Sequence, residues 1–140
     1  VVEIIPLSTV RSFKMPVDKL SARKARWERI SRAALKQSKG AVLPVINEIM
    51  SLSAILSADV QAEQKIFLDE HSQIYFRDIL IETKPASAIL MVGPEGGWSQ
   101  EEREALMSSK YRGFSLGSRI LRTETAVVSA LALISHFWNW

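Results

Sequence analysis

Ala88-Ile89-Leu90-Met91-Val92-Gly93-Pro94-Glu95-Gly96-Gly97-Trp98-Ser99-Gln100-Glu101-Glu102 is the stretch that decides the fold. Its first five residues are apolar without alternation, the pattern of a parallel-sheet strand covered on both faces. Its last four form a capping box, with Ser99 at the N-cap and Glu102 reaching back from the third helical position, so a helix runs from there to about Lys110. Between strand and helix lies a glycine-rich loop. Glycines there let the backbone approach a ligand closely or take φ > 0.

Working outward, the same alternation continues. Val2 to Leu7 reads as a strand that ends around Pro6 and Ser8-Thr9. Asp18 to Ser38 reads as a helix, with Leu20, Trp27, Ile30, Ala34 and Leu35 at helical spacing, Lys/Arg on the other face and Gly40 as its C-cap. Ser51 or Ser53 caps a short helix through Leu56. Lys65 to Leu68 is a strand with an acidic tip, Asp69-Glu70-His71, while Ser72 to Leu80 fits neither template cleanly. Phe114 to Leu116 is a short strand, and Thr123 caps a last apolar helix from Ala126 to Phe137. The expected class is α/β, a mostly parallel sheet with helices on both faces. In such sheets ligands bind beyond the carboxyl ends of the strands. The three tips, Asp69 to His71, Gly93 to Gly97 and Gly117 to Glu124, each follow a strand, so they are expected to converge on one edge.

The bulk composition narrows the function classes. The chain has 140 residues, 47% hydrophobic and 24% charged, within the range of one globular domain that buries roughly two thirds of its unfolded surface. No apolar run approaches the ~20 residues of a membrane span, and no secretory signal is visible; a cytoplasmic location is expected. With no cysteine, disulfide and thiolate chemistry are excluded. His71 and His136 lie far apart, so no metal site is expected. Charge is uneven. Between Arg11 and Lys39 ten Lys/Arg face only Asp18 and Glu28, a local net of +8, against −5 for the remainder. Such a block suits phosphate contacts or a solvated helix face. Val1 begins inside a strand pattern without an initiator Met, so residues upstream of it are expected.

Two loops carry the chemistry. Gly93 to Gly97 has no Lys-Ser/Thr ending and holds Glu95, which disfavours a phosphate; a neutral or cationic ligand with hydroxyls and ring nitrogens suits it. Leu116-Gly117-Ser118-Arg119-Ile120-Leu121-Arg122-Thr123-Glu124-Thr125-Ala126 is too charged for a bland connection. Arg119 and Arg122 offer fixed positive charge, and Glu124 a carboxylate at a helix start, where the dipole also favours it.

These two motifs, with Glu102, closely resemble those of the bacterial 16S ribosomal RNA uridine-N3 methyltransferase family, of the SPOUT class. Glu3-Ile4-Ile5-Pro6-Leu7, Glu28-Arg29 through Ala33-Ala34 with Gln37-Ser38, and Pro44 match as well, so the likeness spans nearly the whole chain. The resemblance implies a SPOUT methyltransferase domain over residues 1–140 with a deep C-terminal trefoil knot, S-adenosylmethionine as cofactor, 16S rRNA or the small ribosomal subunit as partner, and a homodimer. It implies a cofactor cradle of Leu68, Asp69, Glu70, Val92, Gly93, Pro94, Glu95, Gly96, Gly97, Leu116, Gly117, Ile120, Leu121 and Thr125. Arg122 and Glu124 would lie beside the methyl group and the target base as catalytic residues. It also implies an N-terminal RNA-binding β-barrel, then a first strand and helix of the catalytic domain, which this sequence does not contain. The rival readings are a SPOUT enzyme acting on another RNA position, a non-catalytic RNA-binding module using the basic block, and a phosphate-ligand enzyme.

Overall fold

The computed structural model describes every residue except Met15 and residues 81–83. The chain forms two compact units: Val1–Ser8 with Phe13–Ala54, and Thr9–Ser12 with Ile55–Trp140.

In the first unit, β1 (Glu3–Ile4) pairs in parallel with β3 (Val45–Ile46), and β2 (Leu7–Ser8) with β4 (Met50–Ser51). The single strand expected from Val2 to Leu7 is thus two. Pro6 has no N–H to give a ladder; its carbonyl instead accepts from Met50 N at 3.0 Å. In chain order α1 (Leu20–Ser38) follows β2 and precedes β3, entered through a 3-10 turn over Val17–Lys19, where the expected helix start at Asp18 falls. Its apolar stripe is only half-covered: Leu20, Trp27 and Leu35 are partly buried, and no residue of α1 is fully buried. Lys39, not Gly40, takes the left-handed conformation at its end, with φ 54°. At Gly40 a Cβ would stand 2.8 Å from Leu35 Cδ1, so a larger residue there would have to displace the tip of that side chain. Ser51 caps α2 (Leu52–Ser57) by accepting from Ala54 N at 3.1 Å.

The second unit is built on a three-stranded all-parallel sheet in the order β6 (Ala88–Met91), β5 (Gln64–Leu68), β7 (Arg112–Phe114). Side chains alternate along β5. Ile66 and Leu68 enter a core with Phe76 and Ile79 of α3 (Phe76–Leu80), with Phe114, and with Ala126, Ala130, Ile134 and Trp138 of α5 (Thr123–Trp138). Those four α5 residues recur every fourth position, one face of a helix. Phe67 points the other way and meets the Trp98 ring edge-on, centroids 6.2 Å apart. Trp98 leads into α4 (Gln100–Ser108), whose capping box is fully formed. At about 1.5–3 kcal/mol per fully buried large apolar side chain, these two faces supply most of the unit's driving force.

The sheet corrects three expectations. The strand buried on both faces is β5, not the apolar run Ala88 to Val92; β6 is the edge partner, half-buried except at Met91. The last strand lies two residues earlier than expected and contains Gly113. A Cβ at Gly113 would stand 2.7 Å from Phe67 Cζ, so the cross-strand ring occupies that space. Thr123 is the first residue of α5 rather than its cap; Arg122 holds the N-cap position without a side-chain cap bond.

Gly113→Ala is therefore expected to destabilise the fold by about 1–3 kcal/mol through overpacking against Phe67. A lowered urea midpoint with unchanged slope checks this; an unchanged midpoint contradicts the assigned packing.

Candidate functional site

The loops after β5, β6 and β7 meet at the carboxyl ends of those strands and line an open cleft. Three polar ties hold them together. The buried indole N–H of Trp98 donates to the Leu68 carbonyl at 2.8 Å, pinning the glycine loop to the end of β5. Thr123 Oγ1 donates to the Gly93 carbonyl at 3.2 Å, pinning the start of α5 to the same loop. Asp69 N donates to Phe114 O at 2.9 Å, continuing the β5–β7 pairing into the loops. The hydroxyl that sequence assigns to a helix cap instead donates across 30 residues, from the first position inside α5, while Arg122 holds the N-cap without a side-chain cap bond.

The glycines have separate reasons. A Cβ at Gly93 would stand 3.1 Å from the Trp98 ring, so glycine permits the loop to pack over the indole. Gly97 has φ +68° and closes a tight turn, its N–H donating to Pro94 O at 2.9 Å. A Cβ there would also strike Glu70 Oε1 at 2.6 Å, so the Glu70 carboxylate lies directly against the turn.

A clamp of four residues secures the loop from outside. In the Thr9–Ser12 segment, Arg11 Nη1 donates to Gly96 O at 2.8 Å and to Trp98 O at 3.4 Å, and Val10 N donates to Glu102 Oε1 at 2.8 Å. The other oxygen of Glu102 accepts from Ser99 N at 2.9 Å. One buried carboxylate therefore serves both the helix cap and the clamp. Ser99 Oγ also donates to Glu101, and this bond, with the Glu101 backbone and the Arg11 charge, holds the Glu101 carboxyl below its ordinary range.

The cleft is apolar on its walls and acidic on one rim. Leu68, Val92, Leu116, Ile120, Leu121 and Ala126 supply the walls. Asp69 is nearly buried, accepts from His71 N at 3.0 Å and lies 3.8 Å from the Arg103 guanidinium. Arg119 brings a positive charge to the same cleft. Among the described residues no group of three His, Cys, Asp or Glu could hold a metal, and no helix is long and apolar enough to cross a membrane.

Of the cradle residues, Leu68, Asp69, Glu70, Val92, Gly93, Pro94, Gly97, Leu116, Ile120 and Leu121 line this cleft together. Glu95 and Gly96 stand exposed at the tip of the turn, outside the lining. Gly117, with nothing within 4 Å of a hypothetical Cβ, lines a neighbouring cavity that shares Ser115 and Leu116. Arg122, Glu124 and Thr125 are exposed at the head of α5 and are not among the lining residues. The lining also includes Trp98, Phe114, Ser115, Thr123 and Ala126. Ala126 was legible as the first inward position of α5. Arg11 was not, since nothing in its local spacing separates it from the rest of the basic block.

The family model for an RNA methyltransferase domain matches residues 1–135. Ribosomal RNA small subunit methyltransferase E of Aquifex aeolicus is 31% identical over 138 residues, covering 98% of this chain and 58% of that protein. A Legionella pneumophila protein solved in complex with the bound cofactor SAM superposes with a TM-score of 0.89 at 29% identity, over 97% of this chain and 55% of that one. Ribosomal RNA small subunit methyltransferase E from Neisseria gonorrhoeae, bound to S-adenosyl methionine, superposes with a TM-score of 0.85 at 30% identity, over 99% of this chain and 56% of that one. The chain thus spans a little over half the length of these relatives.

Two substitutions test the geometry. Trp98→Phe keeps the aromatic packing but leaves the Leu68 carbonyl without its buried donor, an expected loss of about 1–3 kcal/mol by urea unfolding; no loss would remove the tie from the account. Arg11→Ala removes the donor that serves both carbonyls, and faster amide exchange confined to residues 95–98 is the expected reading.

Proposed function

Because the chain belongs to the RNA methyltransferase domain family, we propose that it binds S-adenosylmethionine in the three-loop cleft and methylates N3 of a uridine in 16S rRNA. The observation that carries this is the convergence of the loops after β5, β6 and β7 on one cleft. The bound cofactor in the Legionella and Neisseria structures supports the same reading, as does the small-subunit rRNA named for the Aquifex relative.

The residues present suit such a cofactor. Apolar walls from Leu68, Val92, Leu116, Ile120 and Leu121 suit a heterocyclic base. The Glu70 carboxylate against the Gly97 turn suits hydroxyl donors, and Asp69 and Glu70 together favour a cation. Glu95, Gly96, Gly117 and Thr125 complete the proposed cradle from its edge. When bound, S-adenosylmethionine supplies an electrophilic methyl group on a sulfonium.

The chain's own residues do the rest. N3 of uridine carries a proton on the Watson–Crick edge, so the base must be unpaired or flipped out. Glu124 accepts that proton, directly or through a water, and Arg122 steadies the charge developing on the uracil oxygens. Both are exposed at the head of α5 and free to meet an RNA. The ties from Trp98 and Thr123 hold the loops rigid, which serves alignment of methyl group and N3.

The proposal extends to the assembly. Ile120, Leu121, Val128 and Phe137 are exposed apolar residues around α5, which supports a homodimer with the active site beside its interface. The match to an RNA methyltransferase domain over residues 1–135 supports extending the reading to a SPOUT domain with a C-terminal trefoil knot. Work on ribosomal RNA implies a cytoplasmic location.

Calorimetry with S-adenosylmethionine is expected to give saturable binding, weakened in Gly97→Ala, which strains the φ +68° turn and displaces the Glu70 carboxylate. A non-catalytic RNA-binding module predicts no binding at all. Arg122→Ala is expected to lower kcat for methyl transfer to small-subunit rRNA by about 10²-fold or more, with cofactor affinity kept. Full rate in that variant would remove Arg122 from the mechanism.

A further inference from the structure

We propose that the outward face of α1 is an RNA-docking surface, a stripe of Arg26, Arg29, Arg32 and Lys36 that grips phosphates. The proposal rests on the methyltransferase reading for its choice of partner and on α1 for its geometry.

At 100° per residue these four positions share one side of the helix over roughly 15 Å of axis. All four are exposed. The opposite side carries the partly buried Leu20, Trp27 and Leu35. Cations nearer that side are answered: Lys24 pairs with Glu48 at 2.6 Å, and the Arg23 guanidinium lies 5.6 Å from the centre of the Trp27 ring. The stripe is not. Among the described residues none of its four members has an ion pair or a side-chain hydrogen bond. The acidic residue of α1, Glu28, is half-buried and off the stripe.

Like charges spaced three or four apart on one helix face repel one another. A helix that needed only solubility would interleave acids, as α4 does with Gln100, Arg103 and Glu104 bonded in series. An unanswered row of three guanidinia and one ammonium is instead matched to a polyanion, and guanidinia bind phosphate oxygens bidentately. RNA is the polyanion that an RNA methyltransferase domain must meet. Each phosphate neutralised also releases counterions, so the contact has a measurable salt signature.

The test replaces Arg26, Arg29, Arg32 and Lys36 together with Gln in the full chain and titrates a small-subunit rRNA fragment across a salt series. The expected result is a slope of log affinity against log salt shallower by roughly three, from about 0.7–0.9 per lost phosphate contact. Affinity at low salt falls at least about tenfold by the same relation. The KM for rRNA rises while kcat and S-adenosylmethionine affinity stay unchanged. An unchanged slope and affinity overturns the proposal, as does a variant whose only loss is binding to phosphatidylserine vesicles. Failure of the methyltransferase reading would show separately, as a wild-type chain that binds rRNA but transfers no methyl group.

Discussion

The buried hydrogen bond from the Trp98 indole to the Leu68 carbonyl is the constraint on which the second unit's site depends. An indole N–H taken out of water is stabilised by an acceptor, and the end of β5 offers one. Satisfying it brings the glycine loop down over the sheet, which forces glycine at position 93 and sets the Phe67–Trp98 edge contact below. The loop then presents its carbonyls outward. One is taken by Thr123 and another by Arg11, so three distant segments are drawn to one place. The cleft is what remains between them.

Local chemistry was legible in the sequence where neighbours in the chain satisfy one another. The Ser99–Glu102 box, a cap at Ser51 or Ser53 and the span of α1 each involve groups a few residues apart. The edge on which the three tips converge was also legible, because parallel strands put their carboxyl ends together. The errors share a different cause. Thr123 looked like a cap because its hydroxyl was read locally, whereas it sits one position inside α5 and donates to Gly93, 30 residues away. The run from Ala88 to Val92 looked central because apolar sequence does not tell an edge strand, half-covered by its surroundings, from a middle one. Gly113 disguised β7 because its reason, the Phe67 ring, lies on another strand.

The site residues divide along the same line. Ten of the cradle residues inferred from resemblance line the cleft, while Arg122, Glu124 and Thr125 project from the head of α5. Residues that shape a pocket are fixed by the loops' own ties. Arg122, Glu124 and Thr125, which lie outside that lining, remain exposed. The charge distribution follows suit: Asp69 of the cleft accepts from backbone and lies beside a guanidinium, whereas the stripe on α1 is left unanswered.

Amide hydrogen exchange with and without S-adenosylmethionine tests most directly whether the three loops form one cofactor site. The account predicts simultaneous protection of residues 68–71, 92–98 and 115–123, with α1 unchanged. Protection confined to one of those loops, or appearing in α1 instead, would contradict it.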